Sequence, residues 1–402
     1  MRLMNDIRTL GQGGHHRSIS SDFFDVVIIH DVSRLITRFV DNLKPIVGFN
    51  SPNAQKLFLE LLDTIGSFPK LSDVAEIITY WPGKYRGHGE GVEDYARRLF
   101  IARYGARGKI SFRLVNEDRD RVVIKLGNTD VKRGIDRKYL VPSLRTASNV
   151  RHFDITGESE FALVDEHALE DDDWKAAGLN DGRRRRSAIY DVREAYRDKA
   201  SRTLITYRVR ITSPNVYWLV FHANYPIIYT ATTLGLRLKE YGAKDINDAL
   251  KYEKILTLYL NSAFTLIQLL AYHVETEGAW IRLDTDRVWS NVIVPSIYDL
   301  KYELVNRAFS IYDKVSKMDV PPLYDRIKSG DSTQRTIDEL VIDMLGLGDG
   351  WKSRLNDLYR AIGEEFEYMQ RILESNRDTK RRRTEEEEEE GGKQQTSLDM
   401  FF

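Results

Sequence analysis

Apolar positions divide the chain into stretches with two different periods. At the spacing of a helix stand Leu35, Ile36, Phe39, Val40 and Leu43, then Leu57, Leu59, Leu61, Leu62 and Ile65, and near the end Leu355, Leu358, Ile362, Phe366, Met369 and Ile372. The second group carries its own punctuation, with Ser51 as N-cap, Pro52 at the first helical position and a stop near Gly66. Further helices are predicted from Ala249 onward, from Asp299 to Met318, from Thr333 to Leu345 and from Trp351 to Ser375. Runs of strand length lie between them: Phe23 to Ile29, Lys109 to Leu114, Arg121 to Leu126 and Ser159 to Val164. The region Arg202 to Val220 holds two more, in which Arg208 and Arg210 alternate with Tyr207, Val209 and Ile211. The longest apolar stretch, Ile255 to Tyr272, is interrupted by Thr257, Asn261, Ser262, Thr265 and Gln268, which makes it a buried helix and not a membrane span.

This alternation predicts an α+β protein with a mixed or antiparallel sheet, helices before it and a helical bundle after it. The expected divisions are a flexible lead (1–21), a helical segment (22–70), a strand-rich region (71–298), the bundle (299–376), a charged linker (377–394) and a terminal octapeptide (395–402). With 402 residues, 42% of them hydrophobic, the chain can bury a large core. It has no cysteine, which excludes disulfides and thiolate metal sites, and Met1 to Ser20 lacks the apolar run of a secretory signal. A cytoplasmic location is expected; if the chain binds DNA, the protein is nucleoid-associated, or nuclear in a eukaryote.

Charge is distributed in blocks. The net value is −1, yet residues 377–402 hold six Lys or Arg against eight Asp or Glu, which leaves the body close to +1. Two places in the body combine the groups that hold nucleic acid. The stretch Trp81 to Gly89 brings Lys84, Tyr85, Arg86 and His88 together with glycines, so that cations can hold phosphate and aromatic faces can stack on bases. The run Arg183, Arg184, Arg185 and Arg186 reads either as a phosphate clamp or as a solvated loop neutralised by Asp171 to Asp173. Arg145 and Trp280, in later segments of the same region, complete the candidate DNA contacts.

Catalytic constellations are sparse. Glu158, Glu160, Asp165 and Glu166 gather carboxylates of the kind a metal-dependent nuclease uses, although such alternation at a strand end also fits a solvated face. The Gly11 to Gly14 cluster has no strand before it, as a phosphate-binding loop requires, and the histidines show no metal-ligand spacing. No catalytic, cofactor-binding or metal residue is assigned.

The last eight residues run Gln395-Thr396-Ser397-Leu398-Asp399-Met400-Phe401-Phe402. One turn of 3₁₀ helix would set Leu398, Phe401 and Phe402 on one side as an apolar plug with Gln395 at its edge. The spacing resembles the motif that binds the PCNA sliding clamp, in its archaeal style. Lys380 to Arg383 and Glu385 to Glu390 precede it, and the spacer from Ser375 would reach roughly 25 Å if flexible.

Upstream, a further resemblance emerges from the order of segments. Leu71 to Ile77, Gly134-Ile135-Asp136-Arg137-Lys138-Tyr139-Leu140-Val141-Pro142, Leu260-Asn261-Ser262, Gly278 to Leu283 and an Ile-Val-Pro strand at 293–295 follow one another, and Arg335 to Val341 and Leu358-Tyr359 close the series. Over residues 70–375 this resembles the target-recognition region of N6-adenine DNA methyltransferases of the type I and fused restriction-modification kind. The resemblance implies binding to double-stranded DNA. The chain departs from the family in lacking a Gly-rich loop for S-adenosylmethionine and an Asn/Asp-Pro-Pro-aromatic tetrapeptide: Asn224-Tyr225-Pro226-Ile227 has no second proline and Val320-Pro321-Pro322-Leu323-Tyr324 no amide. S-adenosylmethionine and catalysis would then belong to a separate methyltransferase subunit. A clamp-tethered nuclease or repair enzyme and a non-catalytic clamp adaptor are the alternatives.

Overall fold

A computed structural model describes residues 16–20, 25–29, 49–79, 92–104, 110–230, 232–239, 246–276, 280–285 and 287–371. The expected α+β class is what it shows. Strands β1 (His16–Ser20) and β2 (Asp25–Ile29) pair as an antiparallel hairpin, so part of the stretch read as a flexible lead is strand. The main sheet has ten strands, in the spatial order β3 (Ala75–Ile78), β13 (Thr233–Leu238), β10 (Ser201–Thr206), β12 (Val220–Tyr229), β8 (Leu140–Leu144), β9 (Glu160–Leu163), β4 (Phe100–Ala102), β5 (Phe112–Glu117), β6 (Arg121–Leu126) and β7 (Lys132–Asp136). Only the β12/β8 and β4/β5 pairs are parallel. A small sheet adds β11 (Arg208–Val209), β15 (Trp280–Arg282) and β14 (Val274–Thr276).

The centre of the main sheet is covered on both faces. Val220, Phe221, His222 and Ala223 are buried in succession, a pattern that alternating solvent exposure cannot give. The helices Gly182–Lys199 and Ile246–Leu260 both lie against this strand. Its pairing with β10 jumps from Ser201↔Ile227 to Thr203↔His222, and Pro226 falls inside the irregularity, where its missing N–H interrupts no ladder bond.

The far end of the sheet is built differently. In β6, Val122, Ile124 and Leu126 are buried while Arg121, Val123 and Lys125 point the other way. The buried side packs on the helix Asp171–Ala176, with Phe112 edge-on to Trp174 at 5.8 Å between centroids. The opposite side is open to solvent.

The apolar stretch 255–272 bends by 68° at Asn261 and Ser262 into two helices, Ile246–Leu260 and Ala263–Tyr272, and every residue of the second is buried. No single described helix is long and apolar enough to cross a membrane. The helices Tyr302–Val315 and Ser332–Met344 pack against this bent pair, and one hydrophobic core runs from Ala54 to Met369. The predicted N-terminal helix forms over Pro52–Ile65 with Ser51 as its cap. Glu365, on the helix over 355–371, accepts the N–H groups of Asn50 and Ser51 and so ties that helix to the start of the helix Pro52–Ile65.

Candidate nucleic-acid interface

The arginine run lies in a helix, which corrects the loop reading. The Asp181 carboxylate accepts the N–H groups of Arg183 and Arg184, capping the helix Gly182–Lys199 so that all four arginines fall within its first turns. Helical periodicity then separates them. Arg185 shares a face with Ala188, Ile189 and Val192; it is buried, donates to the Leu179 carbonyl and to Asp171, and lies over the Trp174 ring at 5.0 Å. Arg184 pairs with Asp181 at 3.3 Å, and Arg186 approaches Glu166 at 4.0 Å. Arg183 is exposed and forms no ion pair among the described residues. The run is therefore not a four-pronged clamp: Arg185 is a structural residue.

Arg145 and Trp280 are linked through a relay of hydrogen bonds to backbone carbonyls. The Arg145 carbonyl accepts the Thr230 and Thr232 hydroxyls, Tyr207 N–H donates to the Thr232 carbonyl, and Leu283 N–H donates to the Tyr207 carbonyl beside the strand of Trp280. The Arg208 guanidinium stands over the Trp280 ring at 5.6 Å. Lys84, Tyr85, Arg86 and His88 lie outside the described residues, as do Gln395, Leu398, Phe401 and Phe402.

The carboxylates of a nuclease reading do not converge. Glu160 is fully buried; burial pushes its carboxyl up, against the pull of the N–H groups of Arg145, Arg103 and Tyr104 that it accepts. Glu158 binds His152 at 2.8 Å and Lys317 at 3.1 Å, and Asp165 binds Arg193 at 2.9 Å. Each is committed to its own partners, and the described residues contain no group of three or more ligands able to hold a metal ion.

Other quoted motifs have packing roles. Asn261 occupies the helix bend, where its side-chain oxygen accepts the N–H groups of Leu219 and Val220 and its amide donates to the carbonyls of Val220 and Thr257. Gln268 holds the Ile-Val-Pro segment by its backbone: Oε1 accepts Ile293 N–H at 2.7 Å and Nε2 donates to the Ile293 carbonyl at 3.3 Å. His222 touches the Tyr312 hydroxyl at 3.1 Å and lies 3.8 Å from Glu253. Burial lowers the pKa of this histidine. Burial alone would raise that of Glu253, but His222 and the two-bonded Arg202 hold it below the ordinary value.

A set of cations that no run in the sequence announces is assembled on the open side of β5, β6 and β7. Arg113 pairs with Lys125, and Lys125 with Lys132, so the three side chains form one row across three strands. Residues 112–138 contain eight Lys or Arg against five Asp or Glu, a net +3 in a chain of −1. Spacing along the sequence hides the row, because only the register makes positions 113, 125 and 132 neighbours.

No protein-family model matches this chain, and no curated protein sequence matches it either.

Proposed function

We propose that this chain is a DNA-recognition protein carried to its substrate by a PCNA-type sliding clamp. In this reading it chooses sites on double-stranded DNA for a separate N6-adenine methyltransferase subunit. The observation that carries the proposal is the terminal octapeptide: Gln395, Leu398, Phe401 and Phe402 at clamp-motif spacing, behind a charged spacer. Two adjacent phenylalanines beyond a run of glutamates are an apolar group in a charged stretch. A partner's apolar pocket gives them burial worth about 1.5–3 kcal/mol each. Tethering would hold the body near DNA at about millimolar effective concentration, so modest intrinsic DNA affinity suffices.

The engagement of Glu158, Glu160 and Asp165 with separate partners weighs against the nuclease alternative. The resemblance over residues 70–375 favours recognition over a bare adaptor role. The test is a titration of purified clamp against the full chain and against Phe401→Ala/Phe402→Ala. Loss of two anchor residues should weaken binding at least about 30-fold, since a hot-spot residue contributes about 2 kcal/mol or more. Undiminished clamp binding by the double variant would overturn the reading.

A further inference from the structure

We infer that the open face of β5, β6 and β7 is a docking surface for the phosphate backbone of duplex DNA, with Arg113, Lys125 and Lys132 as its charged row and Gly134 as its floor. This deepens the proposed function and rests on the DNA-recognition reading.

Two independent observations point to a partner here. The first is charge. Like charges directly opposite each other on neighbouring strands destabilise a sheet, and this row contains two such pairs in succession, Arg113 with Lys125 and Lys125 with Lys132. Among the described residues the ion pair in the row is Asp130 with Lys125 at 2.9 Å, made from a fully exposed position, and the Asp130 charge also acts on Lys132. Arg113 and Lys132 are exposed and form no ion pair among the described residues. A sheet bearing this row gains on meeting a polyanion, because its own repulsion and the partner's are relieved together. Strands lie about 4.8 Å apart, so the row spans about 10 Å. Phosphates recur along each strand of a B-form duplex, and a row of that length lies beside successive ones.

The second observation is Gly134. Its register partner is Val123 on the same open face, one row from the cations. A Cβ added there would meet no atom within 4 Å, and its φ is not in the left-handed range, so neither close packing at that position nor backbone geometry requires glycine. Glycine in a strand is otherwise a disadvantage, and its common use is to let another backbone approach closely. Beside three cations, that backbone is one that carries phosphate.

Two full-length variants test the proposal, Arg113→Gln/Lys125→Gln/Lys132→Gln and Gly134→Val, each checked by circular dichroism and melting for an intact fold. Binding to a short labelled duplex is followed by fluorescence anisotropy without clamp, from about 50 to 200 mM salt. The triple variant should lose about 2 to 3 from the magnitude of the log–log salt slope, and about 10- to 100-fold in affinity at the middle of that range. Gly134→Val should fold at least as well as the parent yet bind several-fold more weakly, with the slope kept. A parent-like slope and affinity in the triple variant would overturn the surface while leaving DNA recognition standing. Absence of salt-dependent duplex binding by the parent chain itself would overturn both. If the triple variant binds like the parent while proteolysis at residues 377–394 accelerates, the row holds the chain's own Glu385 to Glu390 run, and the proposal falls in favour of that occupant.

Discussion

Along β12, four consecutive residues from Val220 to Ala223 are buried, whereas along β6 every second residue is. The two strands belong to one sheet, and the difference is what lies against them. Two helices pack against β12, and most polar groups buried there bring partners with them. Thus Asn261 makes four bonds to backbone groups, and Arg202, Glu253, His222 and Tyr312 form a linked set. Arg326 is fully buried on the Trp218 ring at 3.8 Å with Gln334 as acceptor; burial lowers its pKa to about 9, so it remains charged at neutral pH. On the open side of β6 the same residue types need no internal partner. Where a cation sits in this sheet, more than how many cations adjoin it in sequence, decides whether its charge is available.

The largest expected effect probes the covered centre. Asn261→Leu should destabilise the protein by about 3–5 kcal/mol in urea denaturation, since it orphans the buried backbone groups of Leu219 and Val220. A loss below about 1 kcal/mol would mean that the bend and the strand do not depend on each other.

Next comes a pH effect. Burial raises the Asp338 carboxyl to about 7, against bonds from Ala263 N–H and from the Tyr359 and Gln334 side chains. The folded state then holds a proton that the unfolded chain releases near the ordinary value of 3.8. Its stabilising contribution is complete below about pH 4 and lost as pH rises through about 7. Relative to Asp338→Asn, the parent should lose about 2–4 kcal/mol between those limits, read from denaturant midpoints at several pH values. A pH-independent difference between the two proteins would show that Asp338 ionises normally.

Smaller effects sharpen the contrast among arginines. Arg185→Ala should cost about 2 kcal/mol, through loss of its bonds to Leu179 and Asp171 and its stacking on Trp174, while Arg183→Ala should stay within about 0.5 kcal/mol. Equal costs would break the distinction between inward and outward positions of that run. The smallest effect is a gain: Gly134→Val should stabilise the fold by about 0.5–1 kcal/mol, because the open face has room and glycine is a poor strand former. Destabilisation there would mean that the glycine has a structural role after all.

Local signals were legible where the chemistry is local. Ser51 and Pro52 announced their helix, and Arg121 to Leu126 its strand. The break at Asn261 was less legible, since a polar pair in an apolar run reads equally as a tolerated interruption. Only the strand end that Asn261 caps makes it a bend. The arginine run misled for a similar reason: four adjacent cations look equivalent until a helix turns the third of them inward.

The α+β class and several element positions could be read from the sequence, because each depends on residues close together in the chain. Tertiary structure alone decided which charges face water. It separated Arg185 from Arg183, dispersed Glu158, Glu160 and Asp165 among different partners, and aligned Arg113, Lys125 and Lys132 across three strands. The physical reason is that availability of a charge depends on what covers it and what stands opposite it, and in a sheet both are set by register and layering between residues far apart in sequence.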